Sequence, residues 1–300
     1  MSTPAVQPPT NIVFADRNFK YLLVAPAIFM LLVVGLFPFI YTLLVSFQNI
    51  TLIEQDYSFS GFLHYARLFE DWRLWEAILH TAVFTAIALP LELIFGLLLA
   101  RLFLNDLPLK SLFVGLLVIP AVISPIVAGS MWKLIFDHRY GPINQIISWI
   151  LGEPVTILWT VSPQWVYPAI IICEVWEWTP FMFLILLAAL SNVDRSLIEA
   201  AEIDGASFWK VFIHISLPSI WPVMVIALII RALDLVRLFE IVFQLTRGGP
   251  GNLTETISIY MYIKGFQQFE TSYMGALVFL VILLLTAIVM FALSRVEIAR

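Results

Sequence analysis

Long uninterrupted apolar runs are the feature of this sequence that most restricts how the chain can fold. A helix needs about 20 apolar residues to cross about 30 Å of hydrocarbon. Six runs are long enough, and they are Tyr21–Phe47, Ile78–Leu104, Leu112–Phe136, Tyr167–Leu190, Ile220–Phe243 and Met274–Leu293. The composition, 61% hydrophobic and only 12% charged, excludes an ordinary soluble domain. The sequence therefore predicts an all-α integral membrane protein with six transmembrane helices.

Charge and loop length predict the orientation in the membrane. The polar residues 1–20 include Arg17 and Lys20 just before the first apolar run, which is too long for a signal-peptide core. We expect residues 1–20 to form a cytoplasmic tail and residues 21–300 to form the transmembrane domain. Lys and Arg are slightly more frequent in the expected inner segments, and the expected outer loops are longer than the first inner loop. Both termini are therefore predicted to be cytoplasmic.

Several signatures of enzymes and binding proteins are absent from the sequence. None of the 13 glycines is followed by Lys, which excludes a phosphate-binding P-loop. The four histidines are never four positions apart, and there is no G-x-S-x-G motif, so zinc-protease and hydrolase motifs are missing. No basic run suggests nucleic acid. We expect no catalytic residues and no metal site in this chain.

A half-polar segment, residues 191–218, separates the fourth and fifth apolar runs. It includes NVDRSLIEAAEIDGASFWKVFIHISLP, in which Ser196 and Glu199 fit a capping box and Asp204-Gly205 predicts a sharp reversal. Leu217-Pro218 is expected to end the unit. An apolar stripe at helical spacing is formed by Phe208, Val211, Phe212 and Ile215. The pattern predicts a helix-turn-helix between helices 4 and 5. It leaves open whether that unit contacts a partner or only re-enters the membrane interface.

The same segment resembles the EAA motif found in permease subunits of bacterial ATP-binding-cassette importers. In that motif, Gly follows the second Ala of Glu-Ala-Ala by four positions, and Ile-x-Leu-Pro begins ten positions later. The matching residues are Glu199, Ala200, Ala201, Gly205, Ile215, Leu217 and Pro218. The stretches WEWTPFMFLILLAALSNVDRSLIEAAEIDGAS, LTRGGPGNLTETISIYMYIKGF and YMGALVFLVILLLTAIVMFALSR are similar to the carbohydrate-uptake branch, which includes maltose-type and glycerol-3-phosphate-type permeases.

The resemblance implies a subunit that carries a sugar or sugar derivative, neutral or anionic, across a bacterial inner membrane. It implies three kinds of partner: a second, paralogous permease, a homodimeric ATPase that binds ATP and Mg, and a periplasmic solute-binding protein. This chain itself is expected to bind no cofactor. Residues 196–216 would be the coupling helices that sit in a cleft of the ATPase. The implied coupling residues are Glu199, Ala200, Ala201, Asp204, Gly205, Ile215, Leu217 and Pro218.

Ionisable residues inside apolar runs are candidates for a solute site, because they are costly in a membrane. In the fifth run they recur every three positions, at Arg231, Asp234, Arg237 and Glu240, and would fan across one side of a helix. They either pair with one another or line a polar cavity. Glu177 and Trp178 offer an acceptor and an aromatic platform for a sugar, or belong to an aromatic belt near the headgroups. Glu92 is expected to pair across helices. The candidate substrate-binding residues are Arg231, Asp234, Arg237, Glu177 and Trp178.

Two other classes of function stay open. A stand-alone secondary transporter for a small polar solute would be expected to show inverted repeats, and none is visible in the sequence. A non-transporting scaffold would have no obvious need for charges inside the fifth run.

Overall fold

The computed structural model describes residues 10–51 and 55–298, and most of them are helical. Among these residues, five helical segments are long and apolar enough to cross a membrane, and a bent helix pair would supply a sixth crossing. The prediction of a helical membrane protein with about six spans is thereby confirmed. The chain divides into two compact units. The first unit comprises Met1–Leu68 and Phe269–Leu280, and the second comprises Phe69–Gln268 and Val281–Arg300.

The described part of the first unit starts with a long helical segment. Helix α1 (Thr10–Leu31), a π-helical turn (Leu32–Leu36) and α2 (Phe37–Ser46) follow one another directly. The π-helical turn lies just before Pro38, whose missing N–H removes one α-helical hydrogen bond. Helix α1 begins inside the predicted tail of residues 1–20, and the candidate span is Tyr21–Ser46.

A short antiparallel hairpin follows that helix, which the prediction of an entirely helical chain did not include. Strand β1 (Gln48–Ile50) pairs with β2 (Gln55–Phe59), and α3 (Leu63–Glu70) comes next. The Ile50 N–H donates to Ser272 Oγ at 2.8 Å, so the hairpin is tied to the start of the last helix.

The second unit is built from helices. They are α4 (Trp72–Leu102), α5 (Lys110–Val122), α6 (Pro125–Ile135), α7 (Pro142–Leu151), α8 (Val166–Ser191), α9 (Arg195–Ile203), α10 (Phe208–Val211), a π-helical turn (Phe212–Ser216), α11 (Leu217–Val236), α12 (Glu240–Leu245), α13 (Ile257–Tyr262) and a second π-helical turn (Ile263–Gln267). Helix α14 (Thr271–Ile298) begins in the first unit and ends in the second. Helices α4 and α8 share the most extensive contact, with the backbones in close approach at Gly96.

The prediction of one unbroken third span, Leu112–Phe136, is wrong. Helices α5 and α6 are bent by 98° relative to each other at a break of two residues, Ile123 and Ser124. Both break residues are extended, with ψ of 140° and 135°. A residue that precedes proline is disfavoured in the α region, and Ser124 precedes Pro125.

The fifth run also differs from its prediction as one helix, because α11 ends at Val236 and α12 starts at Glu240. Arg231, Asp234, Arg237 and Glu240 therefore do not share one helical face. The break directs α12 onto α6, where a Cβ on Gly129 would lie 2.9 Å from Gln244 Cβ. Residues Phe208–Leu245 still form one candidate span, so the fifth crossing agrees with its prediction and only its helix is interrupted.

Candidate functional site

A buried ion cluster connects three helices of the second unit. Arg231 on α11 donates through Nε to Glu92 Oε2 and through Nη2 to Glu92 Oε1, both at 2.8 Å. Its Nη2 also donates to Glu174 Oε1 on α8 at 2.9 Å. The exposed fractions of Arg231 and Glu92 are 1% and 0%. The cluster therefore ties α4, α8 and α11 together with charge-assisted hydrogen bonds.

The same guanidinium group has neighbours on its remaining sides. Arg231 Cζ lies 4.4 Å from the ring centroid of Trp178, close enough for a cation–π contact. Its Nη1 lies 3.7 Å from Asp234 Oδ2, and Asp234 Oδ1 accepts a 2.7 Å hydrogen bond from Arg237 Nη2. The side chains of Asp234 and Arg237 are 34% and 71% exposed. The cluster thus has a buried interior at Arg231 and an accessible edge at Asp234 and Arg237.

Some carboxyl oxygens of this cluster have no hydrogen-bond partner among the described residues. Glu177 is 1% exposed, and neither of its oxygens has a hydrogen-bond partner among the described residues. The second oxygen of Glu174, Oε2, is likewise unpartnered there. Glu174, Glu177 and Trp178 share one face of α8, because residues three and four positions apart are neighbours on a helix. The cluster therefore offers spare acceptors and an aromatic ring on the same side.

The structure brings together all five predicted substrate residues but gives them different positions. The interpretation that the charges of the fifth run pair with one another holds for Arg237 and Asp234. It does not hold for Arg231, whose close partners are Glu92 and Glu174 on other helices. Glu92 pairs across helices, as predicted. Glu174 was not selected from the sequence. Counting charges across the apolar runs would have favoured it, because an Arg inside one span needs acidic partners on others.

The elbow, residues 191–218, is a helix-turn-helix at the end of α8. Helix α9 is capped by Asp194, whose Oδ1 accepts from the Ser196 N–H at 2.9 Å. The prediction of a Ser196–Glu199 capping box is therefore wrong. Asp194 occurs two positions earlier, and Asp is at least as good an N-cap residue as Ser. The backbone N–H of Ser196 also lowers the pKa of Asp194, because it stabilises the charged carboxylate.

The turn of the elbow follows its prediction. Gly205 has φ of +80°, in the left-handed region that favours glycine, and its N–H donates to Glu202 O at 3.0 Å. Glu199, Ala200 and Asp204 are exposed, while Ala201 is half-buried. Apart from its chain neighbours, no described residue lies within 4 Å of a Cβ built on Gly205, so the conformation, rather than crowding, requires a glycine there.

Leu217-Pro218 was predicted to end the elbow, and Pro218 does lie in the first turn of α11, but no break separates the elbow from that helix. Helix α10, the π-helical turn Phe212–Ser216 and α11 form one continuous helical segment. The π-helical turn precedes Pro218 and accommodates its missing N–H. Ile215 and Leu217 are half-buried and Pro218 is exposed. Because the segment is continuous, the elbow is joined directly to the helix that carries Arg231.

A second contact joins the elbow to α4. Arg101, in the last turn of α4, lies with its Cζ 4.0 Å from the ring centroid of Phe208, the first residue of α10. Helix α4 also carries Glu92. Two helices that hold the buried cluster are therefore in contact with the elbow or continuous with it.

Comparison with known proteins identifies the family. Residues 73–296 match the family model described as the binding-protein-dependent transport system inner membrane component. The trehalose/maltose transport system permease protein MalF of Thermococcus litoralis is 32% identical over 253 residues, which cover 84% of this chain and 85% of the relative. The sulfoquinovosyl glycerol transport system permease protein SmoG of Agrobacterium fabrum is 34% identical over 284 residues, which cover 93% of this chain and 87% of the relative.

The fold is also similar to that of a solved transporter. A crystal structure of a bacterial ABC transporter involved in the import of the acidic polysaccharide alginate matches with a TM-score of 0.82, covering 96% of this chain and 99% of the other. The sequence identity is 23%, so this match supports the fold alone. The family model covers most of the chain, and the chain therefore belongs to the family of inner membrane components of binding-protein-dependent transport systems.

Proposed function

We propose that this chain is the permease subunit of an ATP-binding-cassette importer and that it carries a sugar or sugar derivative. Membership in a family of binding-protein-dependent transport components supports the first part. The carbohydrate class is supported by relatives that are named for trehalose or maltose and for sulfoquinovosyl glycerol. A stand-alone secondary transporter is not favoured, because the family is described as a component of binding-protein-dependent transport systems and the relatives are named as permease proteins of transport systems.

The observation that carries the proposal is the exposed elbow and its continuity with α11. Glu199, Ala200 and Asp204 are accessible to another protein, and Gly205 fixes the turn between the two helices. A displacement of the elbow is transmitted along the helical segment to Arg231. Small Ala side chains permit close approach, and Glu199 is available for a charge-assisted contact with a basic partner residue. The coupling residues of this chain are thus proposed to be the eight of the EAA-like motif.

The energy source lies in other subunits under this proposal. This chain has no P-loop sequence, so ATP and Mg are bound by a homodimeric partner ATPase, which also binds the elbow. A second, paralogous permease completes the passage, and a periplasmic binding protein supplies the solute. The elbow and both termini lie in the cytoplasm, and the multi-pass chain lies in the inner membrane.

The solute contacts the ion cluster at its accessible edge. Trp178, Asp234 and Arg237 are at least partly exposed there. Because charged groups on a membrane span avoid lipid, this edge is proposed to face a polar cavity. Glu177 is next to Trp178 on α8 but is 1% exposed, so it does not belong to this accessible edge. Arg231 holds this edge in place through Asp234 and Trp178.

Two substitutions in the elbow test the coupling role. Gly205→Pro removes the N–H that bonds to Glu202 and forbids the positive φ, and Glu199→Lys reverses an exposed charge. In cells that produce the complete importer, we expect either change to abolish solute uptake and to reduce recovery of the ATPase when the permease is purified. Membrane content of the chain, measured by immunoblot, should stay near that of the wild type.

Matched controls are Glu153→Lys, an exposed charge reversal far from the elbow in sequence, and Gly115→Ala. Outside the helix's own backbone, no described residue lies within 4 Å of a Cβ added at Gly115. Both should transport normally and retain the ATPase. Wild-type uptake by the Gly205→Pro and Glu199→Lys variants would refute the coupling role.

A further inference from the structure

An aromatic patch lies at the end of the first membrane span. The candidate span Tyr21–Ser46 ends where four aromatic rings are in contact, and these belong to Phe47, Phe59, Phe62 and Tyr65. The centroid of the Phe47 ring lies 6.3 Å from that of Phe59 and 5.5 Å from that of Phe62. Phe59 and Phe62 are 80% and 72% exposed. Two large apolar rings therefore lie on the surface of the first unit directly after the span.

Hydrogen bonds of the hairpin hold the aromatic patch close to the end of that span. Gln48 of β1 pairs with Phe59 of β2, so Phe59 lies beside a residue that is only two positions after the span. The Ser60 N–H donates to the Phe47 carbonyl oxygen at 2.8 Å. Two extended residues cover only about 7 Å. The depth of the patch is therefore set by the place where the first span leaves the hydrocarbon.

The end of a second span holds the same hairpin. The Ile50 N–H donates to Ser272 Oγ at 2.8 Å, and Ser272 is the second residue of the candidate span Thr271–Met290. On the helix that follows the hairpin, Arg67 Nη2 donates to Glu270 Oε2 at 3.1 Å. All of these residues belong to the first unit. Because two spans fix the hairpin at their ends, the hairpin stays close to the membrane surface.

The polarity of the surface changes from the span to the hairpin. Leu44 is 58% exposed, and its carbonyl oxygen accepts a hydrogen bond from the Phe47 N–H at 3.2 Å, so the exposed apolar surface of the span continues into the aromatic patch. The next residue pair of the hairpin, Asn49 with Asp56, is polar and exposed. Aromatic rings followed by polar groups are typical of a segment that lies at the level of the lipid headgroups.

We propose that the aromatic patch is a membrane anchor, in which Phe59 and Phe62 insert among the lipids of the leaflet where the first span ends. This role goes beyond solute transport and holds for any cargo. Exposed apolar rings are unfavourable in water. A soluble binding protein that docks and leaves would return the rings to water, whereas the bilayer covers them throughout.

Spin labels measure the depth of the aromatic patch. The chain, with the subunits that co-purify with it, would be reconstituted in vesicles of phosphatidylethanolamine and phosphatidylglycerol, with a nitroxide label at Phe59→Cys or at Phe62→Cys. Both positions are exposed, each replacement leaves the other three rings in place, and Cys173 is buried and adds little background. The subunits that co-purify would be produced without cysteine.

Two collision partners distinguish lipid from water around the label. Oxygen is concentrated in lipid and a nickel chelate stays in water, and power saturation in electron paramagnetic resonance measures the collisions of each with the label. We expect the ratio of oxygen to nickel collisions to be several-fold higher at Phe59→Cys and Phe62→Cys than at Asn49→Cys, which is exposed at the polar part of the same hairpin. Glu153→Cys, an exposed position outside the first unit, should give a low ratio like that of Asn49→Cys.

Other occupants of the aromatic patch give other results. Labels at Phe59→Cys and Phe62→Cys that collide freely with nickel would overturn the anchor, and a loss of those collisions when purified binding protein is added would assign the patch to that partner. Labels shielded from oxygen and nickel alike would also overturn the anchor, because a protein surface would then cover the rings. A high ratio that does not change when the binding protein is added supports insertion into lipid.

Discussion

Arg231 is stabilised by partners that lie far away in the sequence. A guanidinium group inside a span is costly unless acidic groups compensate it, and Glu92 and Glu174 do so from two other helices. Such a pair contributes little net stability when it is complete, because desolvation of the charges offsets their attraction. Removing only one partner of the pair is strongly destabilising, because it leaves an uncompensated buried charge. The cluster thus makes the packing of α4, α8 and α11 specific.

Single substitutions at the buried pair should therefore be strongly destabilising. We expect Glu92→Gln or Arg231→Gln to lower the free energy of unfolding by about 3–5 kcal/mol. The double variant Glu92→Met with Arg231→Met should recover much of that loss, because no charge is left unpaired. Thermal unfolding of the purified chain in detergent, followed by size-exclusion chromatography, measures these differences.

Arg237→Gln is the control for this experiment. Arg237 is 71% exposed, and an exposed ion pair contributes only about 0–1 kcal/mol. Equal unfolding temperatures for Arg237→Gln and Arg231→Gln would show that the buried cluster has no special role in stability.

Helices α4 and α8 form a unit whose close contact depends on Gly96. A Cβ at this position would lie 2.6 Å from Met182 Cβ and 3.0 Å from the Phe183 nitrogen. These atoms belong to the opposing helix, including its backbone, so the two helices would have to separate. The glycine sets the distance between the helices that carry Glu92 and Glu174.

The substitution Gly96→Ala should accordingly destabilise the protein by about 1–3 kcal/mol through overpacking. Gly115→Ala makes the same change in helix α5, where the added Cβ meets no described residue outside its own helix within 4 Å, and should be neutral or stabilising by up to about 1 kcal/mol. Unfolding temperatures of the two purified variants provide the comparison. A Gly96→Ala variant as stable as the wild type would mean that α4 and α8 can move apart at little cost.

The elements were predictable where the pattern is local. Apolar length located the spans, and Asp204-Gly205 located the turn of the elbow. The break before Pro125 could also have been predicted, because proline restricts the residue before it. The continuous apolar run led to the prediction of one unbroken span instead. The end of α11 at Val236 carries no comparable signal, because it follows from the packing of α12 on α6. The partners of Arg231 required tertiary structure, since Glu92 is 139 residues away.

The whole chain has a membrane topology that depends on the bent pair α5 and α6. These helices have 13 and 11 residues, and at about 1.5 Å per residue each is too short to cross about 30 Å alone. If the pair crosses once, the segments on either side of it face opposite compartments. The proposed cytoplasmic elbow requires this single crossing.

Cysteine labelling measures that crossing directly. Cys173 is the single native cysteine and is fully buried, so it adds little background. We expect a membrane-impermeant maleimide to label Glu153→Cys in intact cells and to label Asp106→Cys and Glu202→Cys only in inverted vesicles. All three positions are exposed. Labelling of Asp106→Cys and Glu153→Cys from the same side would place the bent pair in one leaflet and the elbow outside the cytoplasm.

The buried ion cluster also has a consequence for synthesis on the ribosome. Glu92 and Glu174 precede Arg231 in the sequence, so both acids enter the bilayer before their cation exists. Each charged group costs about 2.5–3.5 kcal/mol near the centre of an inserting helix. A nascent chain that stops before the fifth span therefore keeps two uncompensated acids in the bilayer. The cation is synthesised last, so the acids of the second and fourth spans can form their ion pairs only after the fifth span has been inserted.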